Sequence, residues 1–136
     1  MKILLLIVLL VVLLGINFMR VGSWDASYDK GRPRRAKMEL QMFSVALEMF
    51  RSQCGRYPTT QEGLDALIGE PSNLPSGKWQ KLLDCERVPN DPWDTPYVYC
   101  CPGLHNTNGF DVYSCGYDRK SKSRGDDHDD INNWNP

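Results

Sequence analysis

The sequence predicts an α+β fold in which one long helix packs on a small antiparallel sheet, and three observations carry that prediction. Apolar residues recur at alternating spacings of four and three from Ala36 to Cys54, the period of an amphipathic helix. Two short runs, Tyr97 to Cys100 and Phe110 to Ser114, are aromatic or β-branched, and the connection between them contains Pro-Gly and Asn-Gly. That pattern reads as two antiparallel strands joined by a turn. A helix followed by strands, rather than an alternation of the two, is the α+β order. A chain of 136 residues holds one such core and an anchor, and a second domain is not expected.

The first element is apolar throughout. From Ile3 to Leu14 every residue is Ile, Leu or Val, and after Gly15 the character continues through Ile16, Phe18 and Met19. A helix rising about 1.5 Å per residue over this stretch falls slightly short of the ~20 residues a full span prefers. Residues 1–19 are therefore expected to be an N-terminal membrane anchor that spans with some thinning or help from neighbours. The competing reading is a cleaved secretory signal, with Lys2 as the charged start and Val21-Gly22-Ser23 as small residues before Trp24. Either way the remainder leaves the cytoplasm. Residues 20–33 are polar and contain Gly22, Gly31 and Pro33, which fits a linker, with Pro33 suited to the first position of the following helix. The domain proper is expected over 34–136.

In the helix, Ala36, Leu40, Phe43, Leu47, Phe50 and Cys54 form one stripe, and Met38, Met42, Val45 and Met49 a second beside it. A wide apolar face covering a sheet is the simplest reading. One stripe can also face the sheet while the other faces neighbouring subunits. Gly55 supplies the stop. Beyond it, Thr59 or Thr60 can cap a short helix running through Leu67 and Ile68, and Glu62 stands three residues after Thr59, as a capping box requires.

Several function classes are disfavoured. The net charge of -1 and the scattering of the basic residues give no field that would gather nucleic acid. No Gly-x-Ser-x-Gly elbow, phosphate-binding glycine loop or His-Glu-x-x-His helix occurs. Of the two histidines, His105 sits in a Gly and Asn rich turn with no neighbouring carboxylate pair and reads as a surface residue, and His128 lies in an acidic run. An enzyme is not expected. Trp79, Trp93 and Trp134 read as packing residues. The five cysteines, at 54, 85, 100, 101 and 115, lack the C-x-x-C spacing of zinc or redox centres. Behind an export signal they read as disulfide candidates, with an odd one left over unless it pairs between chains. Cys100 and Cys101 point to opposite faces of a strand, and one of them pairing with Cys115 is a candidate bridge.

Asp118, Asp126, Asp127, Asp129 and Asp130 gather around Gly125. Calcium takes six to eight oxygens, which clustered Asp and turn carbonyls supply, though the spacing is not that of an EF-hand. The alternative is a solvated acidic tail.

Four ordered blocks carry a resemblance. Gly55-Arg56-Tyr57-Pro58-Thr59-Thr60-Gln61-Glu62-Gly63-Leu64-Asp65-Ala66-Leu67 looks like the segment that closes the long helix of the GspG-type major pseudopilin of type II secretion. Pro89-Asn90-Asp91-Pro92-Trp93-Asp94-Thr95-Pro96-Tyr97-Val98-Tyr99 follows, then Pro102-Gly103, then Phe110-Asp111-Val112-Tyr113-Ser114-Cys115-Gly116-Tyr117-Asp118. Asp129-Asp130-Ile131-Asn132-Asn133-Trp134 completes the pattern. The resemblance covers about Arg34 to Trp134, and ordered blocks are more specific than any one motif.

It implies a pilin-like fold and a mechanical role. Such subunits polymerise with copies of themselves and with other pseudopilins into a helical periplasmic fibre. They are anchored in the bacterial inner membrane by the N-terminal helix and work with the inner-membrane assembly platform and the outer-membrane secretin to export folded proteins. It also implies a Ca2+ site in the loop before the C-terminus. Carried over by position, Asp118, Asp126, Asp127 and Asp130 supply side chains, and Cys115 and Tyr117 supply backbone carbonyls. The chain departs from the family in two places. The leader ending in Gly, followed by Phe-Thr-Leu, a variable residue and Glu, does not occur, and the first Glu is Glu39. The loop Arg119-Lys120-Ser121-Lys122-Ser123-Arg124 lacks the family's glycines and adds four cations. Two other readings remain open: a secreted calcium-binding module freed by signal peptidase, and a minor pilin of another envelope machine.

Overall fold

A computed structural model describes residues 30–74 and 77–135. The expected anchor at 1–19, and the linker up to residue 29, lie outside the described residues. No described helix is long and apolar enough to cross a membrane. The contacts divide the chain at Arg32 and Pro33, and the architecture below is that of Pro33–Pro136.

Helix α1 is already formed at Lys30 and runs through residue 54. Residues 30–33, read from the sequence as the end of a linker, are helical, and Pro33 lies within the helix rather than opening it. Ala36, Leu40, Phe43, Ala46, Leu47 and Phe50 are buried, which is the first apolar stripe with Ala46 added. At about 100° per residue, the Met38, Met42, Val45 and Met49 stripe is centred roughly 150° from it, on the far side of the helix rather than beside it. All four of those residues are exposed, Met38 to 64% and Val45 to 61%. The helix stops where Gly55, at φ 78°, donates its N–H to the Arg51 carbonyl at 2.8 Å, a left-handed cap that costs a residue with a Cβ more than glycine.

The next turn is held by reciprocal bonds. Glu62 Oε2 accepts from the Thr59 N–H at 2.7 Å, and Thr59 Oγ accepts from the Glu62 N–H at 3.2 Å, the capping box expected from the spacing. Arg56 adds a two-pronged bond to the same carboxylate at 2.6 and 2.7 Å. The box closes a turn, and the helix after it is a 3-10 segment, Leu64–Leu67, led in by Gly63. Leu64, Ala66 and Leu67 are buried. The loop that follows is pinned by Trp79 Nε1 donating to the Ala66 carbonyl at 2.8 Å.

Three short antiparallel strands follow in the order β1 (Val98–Cys100), β2 (Asp111–Ser114) and β3 (Ile131–Asn132). Val98 pairs with Tyr113 and Cys100 with Asp111, and Tyr113 also faces Asn132. β2 is buried along its whole length because it has a strand on each side and α1 over one face. One hydrophobic cluster joins Leu40, Phe43, Leu47 and Phe50 of the helix to Leu67, Tyr99 and Val112. Each such side chain contributes about 1.5–3 kcal/mol by leaving water. Phe43 and Tyr97 meet edge to face at 5.0 Å, and Tyr97 Oη donates to Glu39 Oε2 on the same helix at 2.5 Å.

Candidate functional site

Two features beyond the core offer chemistry or docking: the connection from β2 to β3, residues 115–130, and the exposed stripe of α1. The connection leaves β2 through Cys115, whose thiol burial pushes up to about 11. Gly116 follows at φ 65°, where a Cβ would collide with the Asp129 carbonyl oxygen. That approach brings the start and end of the loop together, and the Asp118 N–H donates to Asp129 Oδ2 at 3.1 Å.

Serines, not glycines, hold the middle. Ser121 Oγ donates to Asp130 Oδ2 at 2.7 Å and accepts from the Gly125 N–H at 2.6 Å. Ser123 Oγ donates to Asp127 Oδ1 at 2.7 Å, and the Lys122 N–H bonds Asp127 Oδ2 at 2.6 Å. These bonds, led by the Lys122 amide, hold the Asp127 carboxyl below its ordinary range. Asp130 goes the other way. Burial raises it, with the charges of Asp127 and Asp129 adding to the shift against the Ser121 bond, and its Oδ1 is buried with no hydrogen-bond partner among the described residues.

The six expected ligands therefore divide. Asp118 and Asp130 lie at the joined ends of the loop with Cys115, which is buried, and Tyr117, which is 59% exposed. Asp127 is bonded through both oxygens within the loop. Asp126 turns outward: Oδ2 meets His105 Nε2 at 2.8 Å and Oδ1 accepts from Trp134 Nε1 at 2.9 Å. Those two bonds, Trp134 first, lower its pKa. Among the described residues no three His, Cys, Asp or Glu side chains converge as a metal-holding group. The set fits a cation in part: the orphaned buried oxygen of Asp130 is a hard donor of the kind calcium takes, whereas Asp126 faces elsewhere. Asp129, named in the acidic run but left out of the ligand set, is the most enclosed partner of Asp118, its side chain 6% exposed.

His105 is not the isolated surface histidine its turn suggests. Its Nδ1 lies 3.2 Å from Asp111 Oδ2, and its ring stacks on Trp134 at 4.0 Å with planes 7° apart. Asp111, though buried, is kept ionised: burial opposes its charge, but amides of His105 and Asn106, and that of Leu104, outweigh it. Burial likewise opposes the charge on His105, and the bonds to Asp126 and Asp111 outweigh it and raise its pKa. No sequence pattern marks this pair, because the second carboxylate comes from 21 positions away.

All five cysteines are unpaired in the structure. The candidate bridge from Cys100 to Cys115 is ruled out by register. Cys100 faces Asp111, so Cys115, just past the end of β2, lies four positions further on, roughly 14 Å away at about 3.4 Å per residue. A disulfide needs Cα atoms within about 7 Å. Cys101 is one step more distant and bonds its thiol to the Gly109 carbonyl at 3.4 Å.

A long helix with one face on a three-stranded antiparallel sheet, a pinned loop between them, an acidic loop at the C-terminal end and an apolar stripe left outside together define a pilin-like subunit. Comparison with known proteins agrees. Residues 25–134 match the family model described as type II secretion system (T2SS), protein G. The chain is 38% identical over 131 residues to the type II secretion system core protein G of Pseudomonas aeruginosa, covering 94% of this chain and 89% of that one. It is 33% identical to the Vibrio cholerae protein of the same name, covering 95% and 87%. The crystal structure of the major pseudopilin from the type 2 secretion system of enterohaemorrhagic Escherichia coli superimposes with a TM-score of 0.63 at 31% identity, over 80% of this chain and 91% of that one. The chain belongs to the type II secretion system protein G family, whose members are structural pseudopilins.

Proposed function

We propose that the chain is the repeating subunit of a pseudopilus, packing against copies of itself and other pseudopilins through the outer face of α1. The observation that carries this reading is the stripe of Met38, Met42, Val45 and Met49, exposed along the helix opposite the core. Burying such a row gains about 25 cal/mol per Å², and methionine adapts to an uneven facing surface. A fibre requires a contact between different faces that does not close on itself, and the helix stripe can serve as one half of it. The work is mechanical.

The aliphatic run from Ile3 to Leu14 supports insertion in the bacterial inner membrane, with residues 34–136 on the periplasmic side. There the subunit would meet the assembly platform and, at the fibre's far end, the secretin. Calcium is the cofactor this reading adds. The carboxylates of Asp118, Asp127 and Asp130 and the carbonyls of Cys115 and Tyr117 would hold it, while Asp126, the remaining position expected from the family, is turned to His105 and Trp134. Its chemistry would be structural: a divalent charge that ties the loop ends together.

Replacing Met42 and Val45 together by Glu tests the docking face. The double variant is expected to melt within a few degrees of the parent, since both side chains are exposed, yet to fail in fibre assembly and in secretion when it replaces the parent. Normal fibres from a folded double variant would reject the face.

A further inference from the structure

We infer that Asp126 is a positioning residue rather than a cation ligand: with His105 and Trp134 it forms a clasp that fastens the C-terminal loop to the β1–β2 connection. The parts come from three separate segments. His105 belongs to the connection 101–110, Asp126 to the far end of the loop 115–130, and Trp134 to the tail after β3. Each oxygen of Asp126 has its own partner, His105 Nε2 at 2.8 Å and Trp134 Nε1 at 2.9 Å. The two partner rings lie flat on each other at 4.0 Å, so a single carboxylate spans a stacked pair.

Each partner is tied in turn to β2. His105 Nδ1 reaches Asp111, the first residue of that strand, at 3.2 Å, and the ring of Trp134 meets Tyr113 edge-on at 6.0 Å. Trp134 also closes over the residue before Asp126: a Cβ on Gly125 would lie 2.5 Å from the indole. Turning Asp126 inward to ligate would break both of its side-chain bonds and uncover the stack. Asp130 faces no such conflict, since its Oδ1 is buried without a partner among the described residues while Oδ2 keeps the loop's bonds. The clasp thus holds Asp126 on the outer side of the loop, and the buried oxygen inside it is that of Asp130.

The assignment against a ligand role rests on the calcium reading, and the clasp itself does not, so the experiment separates them. Full-length parent, Asp126→Ala, Asp126→Asn, His105→Gln and Asp130→Asn are compared by amide hydrogen exchange in excess chelator and by calorimetric titration with calcium chloride. In chelator, Asp126→Ala and His105→Gln are expected to speed exchange at the hydrogen-bonded amides of Lys122, Gly125 and Asp127. Asp126→Asn, which keeps an oxygen for Trp134, should fall between them and the parent. With calcium, Asp126→Ala and His105→Gln are expected to weaken affinity to the same extent, by about tenfold, as groups that orient ligands do, whereas Asp130→Asn loses binding. Loss of calcium binding in Asp126→Ala with parent-like affinity in His105→Gln would overturn the assignment, and unchanged exchange in both would overturn the clasp. A parent that binds no calcium removes the cation reading alone and leaves the exchange result to decide the clasp.

Discussion

Asp91 is the joint on which the sheet and the preceding loop both depend, and its removal gives a measurable loss. It is 4% exposed. Its Oδ1 accepts from the amides of Trp93 at 3.0 Å and Thr95 at 2.8 Å, and its Oδ2 accepts from Ser114 Oγ at 2.5 Å. Ser114, the last residue of β2, is wholly buried and passes the connection on by accepting from the Gly116 amide at 3.1 Å. Asp91→Ala strands three donors at once. Each buried unpaired donor costs about 1–3 kcal/mol, and water reaching the less enclosed Thr95 amide trims the total to about 3–4 kcal/mol. For a unit of this size that is a fall in Tm on the order of 15 °C. Asp91→Asn keeps the two amide bonds and lets Ser114 accept instead of donate, so about 1–2 kcal/mol is expected. Thermal and urea unfolding of the full-length chain in chelator, followed by circular dichroism, measures both. Pairing Asp91→Ala with Ser114→Ala should show the two losses overlapping by at least about 1 kcal/mol, as contacting residues do. A loss under about 1 kcal/mol for Asp91→Ala, or full additivity with Ser114→Ala, would refute the account.

Acid should unpick the capping box. The two-pronged bond from Arg56 holds Glu62 down from 4.5 to about 2, with burial opposing and the Thr59 amide assisting. A depressed folded-state pKa contributes stability that is complete above 4.5 and lost as the pH falls through about 2. With solvent screening of the partly exposed pair, the loss is on the order of 1 kcal/mol, and Glu62→Gln should flatten the stability profile across that window. For the cation, millimolar calcium should raise the Tm of the parent over that in chelator by mass action. Asp130→Ala should abolish the rise, and a parent indifferent to calcium would reject the site.

The core stripe of α1 was legible because burial of a helix face imposes a period that survives in a single sequence. The capping box was legible for the same kind of reason, since its two partners are three residues apart. The exposed stripe was visible as a pattern but misplaced as a neighbour of the first, although helical arithmetic alone separates the two. β3 escaped notice because a two-residue strand has no alternation to read and exists only by pairing with β2. The acidic run was visible as composition, but the direction in which each carboxylate points was not.

What the sequence determined by itself is whatever local periodicity and chain order encode: a long amphipathic helix, a glycine stop, two strands, and an ordered set of blocks that mark the family. What only the tertiary structure decided is which distant groups share space. Strand register keeps Cys100 from Cys115, and His105 meets carboxylates from β2 and from the C-terminal loop. Asp126 turns to a ring stack while Asp130 keeps a buried oxygen without a partner among the described residues. Hydrogen bonds, ring stacking and disulfides depend on distances of a few ångströms. Those distances are set by how the sheet and its loops close in three dimensions, and not by separation along the chain.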